Sequence, residues 1–346
     1  VPPLLPSPDA PIGKRILVTG GTGLLGSCLL RLLLKRGYAD LRALRLPGSN
    51  MLLVRDIAPQ IEWIEGDVLD LPALDEAIAG RDWVFHCAGI ISFDPRKARI
   101  MRAVNVEGTA NVANLCLDHQ VASMLHVSSI AALGRTKPGQ TISEKSKWER
   151  SPLNTNYGIS KFLAEQEVWR AMEEGLHAVV INPSIILGSG DWNRGPARFF
   201  PLIDKGFPFY PLGGTDLVDV RDVARAMVAL MEQGIRRERF VVSAGKMSYH
   251  QFFGRIADAL QKPAPRYAVR PWMQAIAWRL AWVKSRLSDS ETLVTRETIQ
   301  QSALEYTYEN TKLIERIGFE YTPLDQTISE TALAFLKAKA EIPKLP

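Results

Sequence analysis

Two side chains one helical turn apart carry the first chemical signal in this sequence. In Tyr157-Gly158-Ile159-Ser160-Lys161 a phenol and an amine stand four residues apart, on one face of a helix. A cationic amine beside a phenol favours the phenolate, so such a tyrosine can give or take a proton. Bringing a tyrosine from its usual value near 10 towards about 7 takes roughly 4 kcal/mol of differential interaction. Ser129, at the end of the apolar run Met124–Val127, is the candidate hydrogen-bond partner for a substrate oxygen. A Y-x-x-x-K pair by itself is most often an exposed helix face, so its weight comes from what precedes it.

What precedes it is Thr19-Gly20-Gly21-Thr22-Gly23-Leu24-Leu25-Gly26, placed between the apolar run Ile16–Val18 and a helical pattern of Leu25, Leu29, Leu32 and Leu33. Glycines at 20, 23 and 26 let a backbone turn tightly, approach a pyrophosphate and pack a helix against a strand. The N–H groups and positive dipole end of that helix then face the phosphates. Gly20, Thr22, Gly23, Leu24, Leu25 and Gly26 are therefore the candidate phosphate cradle of a dinucleotide, and strand, G-x-x-G-x-x-G and helix together make the signal strong. An oxidised nicotinamide bound there would add its positive charge to that of Lys161 beside Tyr157.

The remaining cofactor candidates fall at successive strand ends. Arg45 closes the run Leu41–Leu46, at the position where a carboxylate selects a ribose 2′-hydroxyl and an arginine accommodates a 2′-phosphate. This favours NADP(H), with NAD as the alternative cofactor. Asp67 and Val68 follow the strand Ile61–Glu65; Asp67 can accept from an adenine amino group or cap the helix that starts near Leu71-Pro72. Cys87, Ala88 and Gly89 follow Trp83–His86 and are small where backbone must pass close to the cofactor, while His86 itself reads as a hydrogen-bonded core residue. Asn105 sits on a long helix ending near Asp118, and Pro183 ends the run Val179–Pro183.

This β-α alternation requires right-handed crossovers and a doubly wound parallel sheet of the Rossmann type, with ligands beyond the carboxyl ends of the strands. The expected fold class is α/β, with a smaller, mostly helical C-terminal substrate lobe. The expected division is an extended tail over 1–12, a dinucleotide-binding core over 13–183 and a substrate lobe over 184–346, of which about 217–245 returns to the sheet. Gly188–Gly195 reads as a loop that could fold over the substrate, with Trp192 as its apolar contact or as a surface aromatic anchoring the loop, and Pro211–Asp216 as a second loop.

Composition excludes several classes. With 46% hydrophobic and 23% charged residues the 346-residue chain is neither disordered nor membrane-spanning in character. A net charge of +5, with basic residues scattered among acidic ones, implies no nucleic-acid partner. Cys28, Cys87 and Cys116 have no metal-ligand spacing; no metal is expected, and free thiols suit a reducing, cytoplasmic setting. Val1–Pro11 is proline-rich and lacks the pattern of a secretory signal. The expected partner is a small-molecule substrate, with a second copy of the chain as an option. In Pro271–Leu287, Trp272, Ile276, Leu280 and Val283 form an apolar stripe flanked by Trp278 and Trp282, interrupted by Arg279, Lys284 and Arg286. It is too short and too charged to cross a bilayer. A helix with a buried tryptophan face is expected, packing as core, lining the substrate mouth, or touching a membrane surface.

TGGTGLLG, GDVLD, HCAG, NVEGT, HVSSIAALG, YGISK and NPSIILG, in that order over roughly residues 14–260, resemble the extended short-chain dehydrogenase/reductase superfamily in its NAD-dependent epimerase/dehydratase-like branch. Within it the chain is most similar to dihydroflavonol 4-reductase-like and 3β-hydroxysteroid dehydrogenase-like proteins. The resemblance implies Ser129, Tyr157 and Lys161 as the catalytic triad, Asn105 as its helix asparagine, Arg45 as reader of the 2′-phosphate, and Lys161 as holder of the nicotinamide ribose. It implies a reductase or dehydrogenase acting on a carbonyl/alcohol pair of a hydrophobic small molecule. Gly134 departs from the asparagine that plant flavonoid reductases use for substrate, and Gly213–Val220 lacks the arginine common in nucleotide-sugar enzymes. An epimerase or dehydratase with transient cofactor reduction is the alternative enzyme; a dinucleotide-binding sensor or scaffold is the non-catalytic one.

Overall fold

Four consecutive apolar or small residues, Ile16–Thr19, form β1 and are all fully buried, as a strand covered on both faces must be. The structure is a computed structural model and describes residues 13–135, 139, 141–270, 272–273 and 305–341. Helix α1 (Leu24–Lys35) turns Leu25, Leu29, Leu30 and Leu33 inward, each worth roughly 1.5–3 kcal/mol when removed from water. There follow β2 (Leu41–Arg45), β3 (Glu62–Glu65), α2 (Leu71–Ile78), β4 (Trp83–His86), α3 (Ala98–Arg102), α4 (Gly108–Asp118), β5 (Ser123–Val127) and a short β6 (Thr141–Ile142). Next come α5 (Asn156–Glu173), β7 (Ala178–Pro183), β8 (Ile185–Leu187), α6 (Phe199–Asp204), β9 (Phe209–Tyr210), β10 (Gly214–Asp219), α7 (Val220–Glu232) and β11 (Glu238–Val242). The chain continues through β12 (Gly245–Ser248), α8 (Tyr249–Ala259), β13 (Tyr267–Ala268), β14 (Thr307–Tyr308), α9 (Thr311–Ile317) and α10 (Leu324–Glu341).

Seven strands form one parallel sheet in the order β11-β7-β5-β4-β1-β2-β3. The order reverses at β1, where β4 rather than β3 lies on its other side, and this opens a crevice at the carboxyl ends of β1 and β4. One face of the sheet packs under α1, α7 and α9, the other under α2, α4 and α5. The fold is thus α/β, doubly wound. A third core, built from Leu187, Phe200, Leu217, Phe252, Ile256, Ile328 and Phe335, joins α6, α8 and α10 to the three-stranded sheet β12-β10-β8. β11 pairs with β7 in parallel, so residues 238–242 lie in the main sheet although they follow this lobe's first elements.

Residues 214–216, expected as the end of a loop, instead open β10, because Gly214–Leu217 pair antiparallel with Gly245–Ser248. Thr141–Ile142 pair with β14, far along the chain, beyond any local pattern. Trp192 packs edge-on against Phe200 and Phe335, at 6.1 and 5.2 Å between ring centres, so it anchors its loop to the third core. Trp272 is 62% exposed, against the expected burial; the rest of the 271–287 stripe lies outside the described residues, as does the 1–12 tail. Among the described residues no helix is long and apolar enough to cross a membrane.

Candidate functional site

The turn after β1 passes so close to the end of β4 that side chains are excluded. Gly20 has φ +69°, and a Cβ there would lie 2.8 Å from the Ala88 nitrogen. A Cβ at Gly26 would lie 2.2 Å from the Gly20 carbonyl oxygen. Gly23, the N-cap of α1, makes no side-chain cap bond, and the first turn carries no acidic residue. The helix therefore presents N–H groups and dipole with no carboxylate competing for them, an arrangement that fits a pyrophosphate. Thr22, Leu24 and Leu25 occupy the same turn.

Arg45 ends β2 and is paired with Glu65 at the end of the neighbouring β3. Its Nε is buried and has no hydrogen-bond partner among the described residues. Asp67 does not cap α2. Its Oδ1 accepts from the Leu69 N–H at 3.0 Å, while Asp70 is the cap, accepting from the Ala73 N–H at 3.3 Å. An Asx turn with its own chain orders the loop; Val68 beside it is buried against Gly108.

Beyond β4 the backbone of Cys87, Ala88 and Gly89 is threaded between polar groups. A Cβ on Gly89 would meet Asn105 Oδ1 at 3.1 Å and Lys161 Nζ at 3.2 Å. Asn105 is 1% exposed and grips the next residue in both directions: its Oδ1 accepts from the Ile90 N–H at 2.8 Å, and its Nδ2 donates to the Ile90 carbonyl at 2.9 Å. Nδ2 also reaches Ser160 Oγ at 3.0 Å, tying this segment to α5. The helix bearing Asn105 is wound as a π turn over Ala103–Glu107, between α3 and α4. Such single turns recur at functional sites, and no residue propensity announces them.

Behind this segment runs a polar chain absent from the sequence reading except for its histidine. Thr109 Oγ1 donates to the Asn105 carbonyl at 2.6 Å, so it accepts from His86 Nε2 at 3.0 Å. That leaves His86 Nδ1 as acceptor for the Thr19 hydroxyl at 2.8 Å, which in turn accepts from the Ala88 N–H at 3.2 Å. The network assigns the tautomer, with each link consistent with the next. Burial, with the positive charge of Lys161 nearby, pushes His86 down to about 3. It is a scaffold histidine.

Tyr157 and Lys161 lie one turn apart near the start of α5, which Thr155 caps through the Gly158 N–H at 3.0 Å. Both are buried, at 8% and 5% exposure. Burial pushes the Tyr157 phenol up to about 12, and a hydrogen bond with Ser129 works in the opposite direction. Lys161 Nζ donates to the Val127 carbonyl at 2.9 Å. Burial lowers it to about 8, and the neighbouring Glu165 and Cys87 oppose that shift. Phe93 packs edge-on against Tyr157, 6.1 Å between ring centres, and supplies an apolar wall that no spacing rule indicated. The structure thus brings together Ser129, Tyr157, Lys161 and Asn105 beside the glycine turn. Pro183 ends β7 on the same edge, followed by Ser184, whose buried hydroxyl has no partner among the described residues.

Gly134 has φ +80° with ψ 166°, a conformation essentially reserved for glycine, and a Cβ there would lie 3.1 Å from Trp148. An asparagine contact to substrate from this position has no counterpart here. Cys28, Cys87 and Cys116 are free, and burial pushes the Cys28 and Cys87 thiols up to about 12. Among the described residues no group of His, Cys, Asp and Glu side chains has metal-binding geometry.

Residues 16–243 match the profile of the NAD-dependent epimerase/dehydratase family. The chain belongs to that family. It is an NAD(P)-dependent enzyme of the extended short-chain dehydrogenase/reductase type. It is 27% identical to cinnamoyl-CoA reductase 1 of Petunia hybrida, over 96% of this chain and 94% of that protein. Sterol demethylase protein B of Methylococcus capsulatus is 30% identical over 75% of this chain and 79% of its own length. The crystal structure of gox2253 superposes with a TM-score of 0.79 at 27% identity, covering 94% of this chain and 99% of that one. In this epimerase/dehydratase-family chain the family match ends at Ser243, just after β11, so the third core around α8 and α10 lies largely outside it.

Proposed function

We propose that this family member is an NADP(H)-dependent oxidoreductase that interconverts a carbonyl and an alcohol on a hydrophobic small molecule. The observation that carries the reading is the convergence of a buried Ser129–Tyr157 hydrogen bond and Lys161 on the glycine turn at the sheet's reversal point. Names among its relatives, such as cinnamoyl-CoA reductase, point the same way.

The residues fit a dinucleotide: Gly20–Gly26 and the first turn of α1 would hold its pyrophosphate, Arg45 a 2′-phosphate, and Lys161 the nicotinamide ribose. Bound there, the nicotinamide supplies or accepts the hydride. The protein's own part is the proton. With its value pushed up to about 12, Tyr157 holds its proton at neutral pH and can donate it to a carbonyl oxygen. Ser129, already bonded to the phenol, orients that oxygen. Lys161 keeps a positive charge below about pH 8 and offsets the charge left on Tyr157. Phe93 beside Tyr157 favours an apolar substrate body.

A panel of aldehydes, ketones and thioesters, followed by NADPH absorbance, tests this. Consumption of NADPH in proportion to product is expected. Substrate isomerisation or dehydration with no net NADPH change would assign the chain to the epimerase/dehydratase chemistry of its family instead.

A further inference from the structure

Tyr157, Lys161 and Glu165 repeat at four-residue spacing along one face of α5, and all three are buried, Glu165 fully. A fully buried carboxylate is costly unless it is paired and hydrogen-bonded. Glu165 is both. Its Oε1 accepts from Asn182 Nδ2 at 2.5 Å, and its Oε2 faces Arg239 NH1 at 3.4 Å. Arg239, on β11, is in turn held by the Glu144 and Ser146 carbonyls at 2.9 and 3.2 Å. Asn182, on β7, is also fully buried, and the same Nδ2 donates to the Ser129 carbonyl at 3.0 Å. Turning that amide over would aim its oxygen at two other oxygens, so the orientation is determined by its neighbours. One nitrogen thus bridges the carboxylate below Lys161 and the peptide group of Ser129.

We propose that Glu165 and Asn182 are positioning residues of this site, a single buried relay that gives Lys161 its counter-charge and holds Ser129 in register with Tyr157. The proposal rests on the reductase reading of the Ser129–Tyr157–Lys161 set. Both side chains are fully buried, so each acts through another group. The relay explains how a buried lysine stays charged: Glu165 opposes the lowering that burial imposes on Lys161. The other titratable groups around that amine are Tyr157 on its own helix, the Cys87 thiol, and His86 and His126 on β4 and β5. The histidines are neutral, their values depressed by burial, and the thiol is pushed up to about 12, so none of them supplies negative charge at neutral pH. Arg239 is the cation facing Glu165 from β11.

The test uses the full chain with lysine labelled at 13Cε, the Lys161 resonance being assigned by its loss in Lys161→Met. The wild-type resonance should titrate near pH 8. Glu165→Gln is nearly isosteric and keeps an oxygen for Asn182, so it removes charge and leaves the clamp; the midpoint should fall by about 1 pH unit. Asn182→Ser has a hydroxyl too short to span both oxygens. It should leave the midpoint in place and lower kcat by about 10- to 100-fold through misalignment, with cofactor affinity unchanged. An unmoved midpoint in Glu165→Gln overturns the charge relay, and a kcat within about two-fold of wild type in Asn182→Ser overturns the clamp. A wild type that reduces no carbonyl, while the Glu165→Gln midpoint still falls, removes the reductase reading and leaves the hold on Lys161 standing.

Discussion

A phenol buried beside a serine and a lysine can move a proton, and removing its oxygen is the sharpest change available at the residue scale. Tyr157→Phe should lower kcat by at least about 100-fold, the usual worth of a positioned general acid, with the NADPH dissociation constant unchanged. Lys161→Met should damage both turnover and cofactor binding. Steady-state kinetics and fluorescence titration check the pair. Arg45 poses a second residue-scale question, because it is already engaged by Glu65. Glu65 is half exposed, at 52%, so that pair is worth about 0–1 kcal/mol, whereas an arginine–phosphate contact is worth about 1.5–3 kcal/mol. The phosphate wins. Arg45→Asp should weaken NADPH by roughly 10- to 150-fold and reverse the preference for it, while Glu65→Gln should tighten it by a few-fold at most. Equal affinity of the unmodified protein for NADH and NADPH, read by the same titration, would contradict this.

At the scale of elements, β4 and β5 carry a cost that their sequence hides. His86 and His126 sit side by side in the sheet, ring centres 5.3 Å apart, and both are fully buried. His86 is hydrogen-bonded through both nitrogens, whereas among the described residues neither nitrogen of His126 has a partner. Burial depresses both, His86 to about 3, while an unfolded histidine titrates near 6.5. Below about pH 6.5 the unfolded chain therefore binds more protons than the folded one. The stability these groups contribute is complete above that pH and is lost as pH falls towards 3. Each proton adds about 1.4 kcal/mol per pH unit to the slope. His126→Leu removes one of them and abandons no hydrogen bond. Its urea stability should exceed that of wild type increasingly from pH 6 down to 4, by about 1.4 kcal/mol per unit; parallel pH profiles would show that His126 is not linked. The strand Met124–Val127 was legible as an apolar run, and His126 within it reads as one more inward residue. Its lack of partners depends on what α5 and β4 bring beside it, which periodicity does not carry.

For the whole molecule, the sheet was legible because buried parallel strands are short apolar runs and each is followed by a small or polar residue at the ligand edge. The glycine turn, Arg45, Cys87–Gly89 and Ser129 were legible for the same reason, since strand ends in this topology share one edge. The π turn under Asn105 was not, because no residue propensity announces it, and the Thr19–His86–Thr109 chain and the Glu165–Asn182 relay were not, because each joins residues distant in sequence through side-chain geometry. Glu165 left a trace, as the third member of a four-residue repeat with Tyr157 and Lys161, but an acidic residue on a helix is ordinarily solvated. Trp192 stood open between two readings because an aromatic in a glycine-rich loop looks the same whether it meets substrate or anchors the loop, as it does here on Phe200 and Phe335. In the proposed function these parts serve one act, transfer of a hydride to a carbonyl carbon with a proton from Tyr157. Its most direct test is NADPH carrying deuterium at the transferable C4 position, turned over with the carbonyl compound reduced fastest and analysed by mass spectrometry. The result expected is one carbon-bound deuterium in the alcohol for each NADPH consumed, lost together with turnover in Tyr157→Phe. Product formed without deuterium and without net NADPH consumption would contradict it.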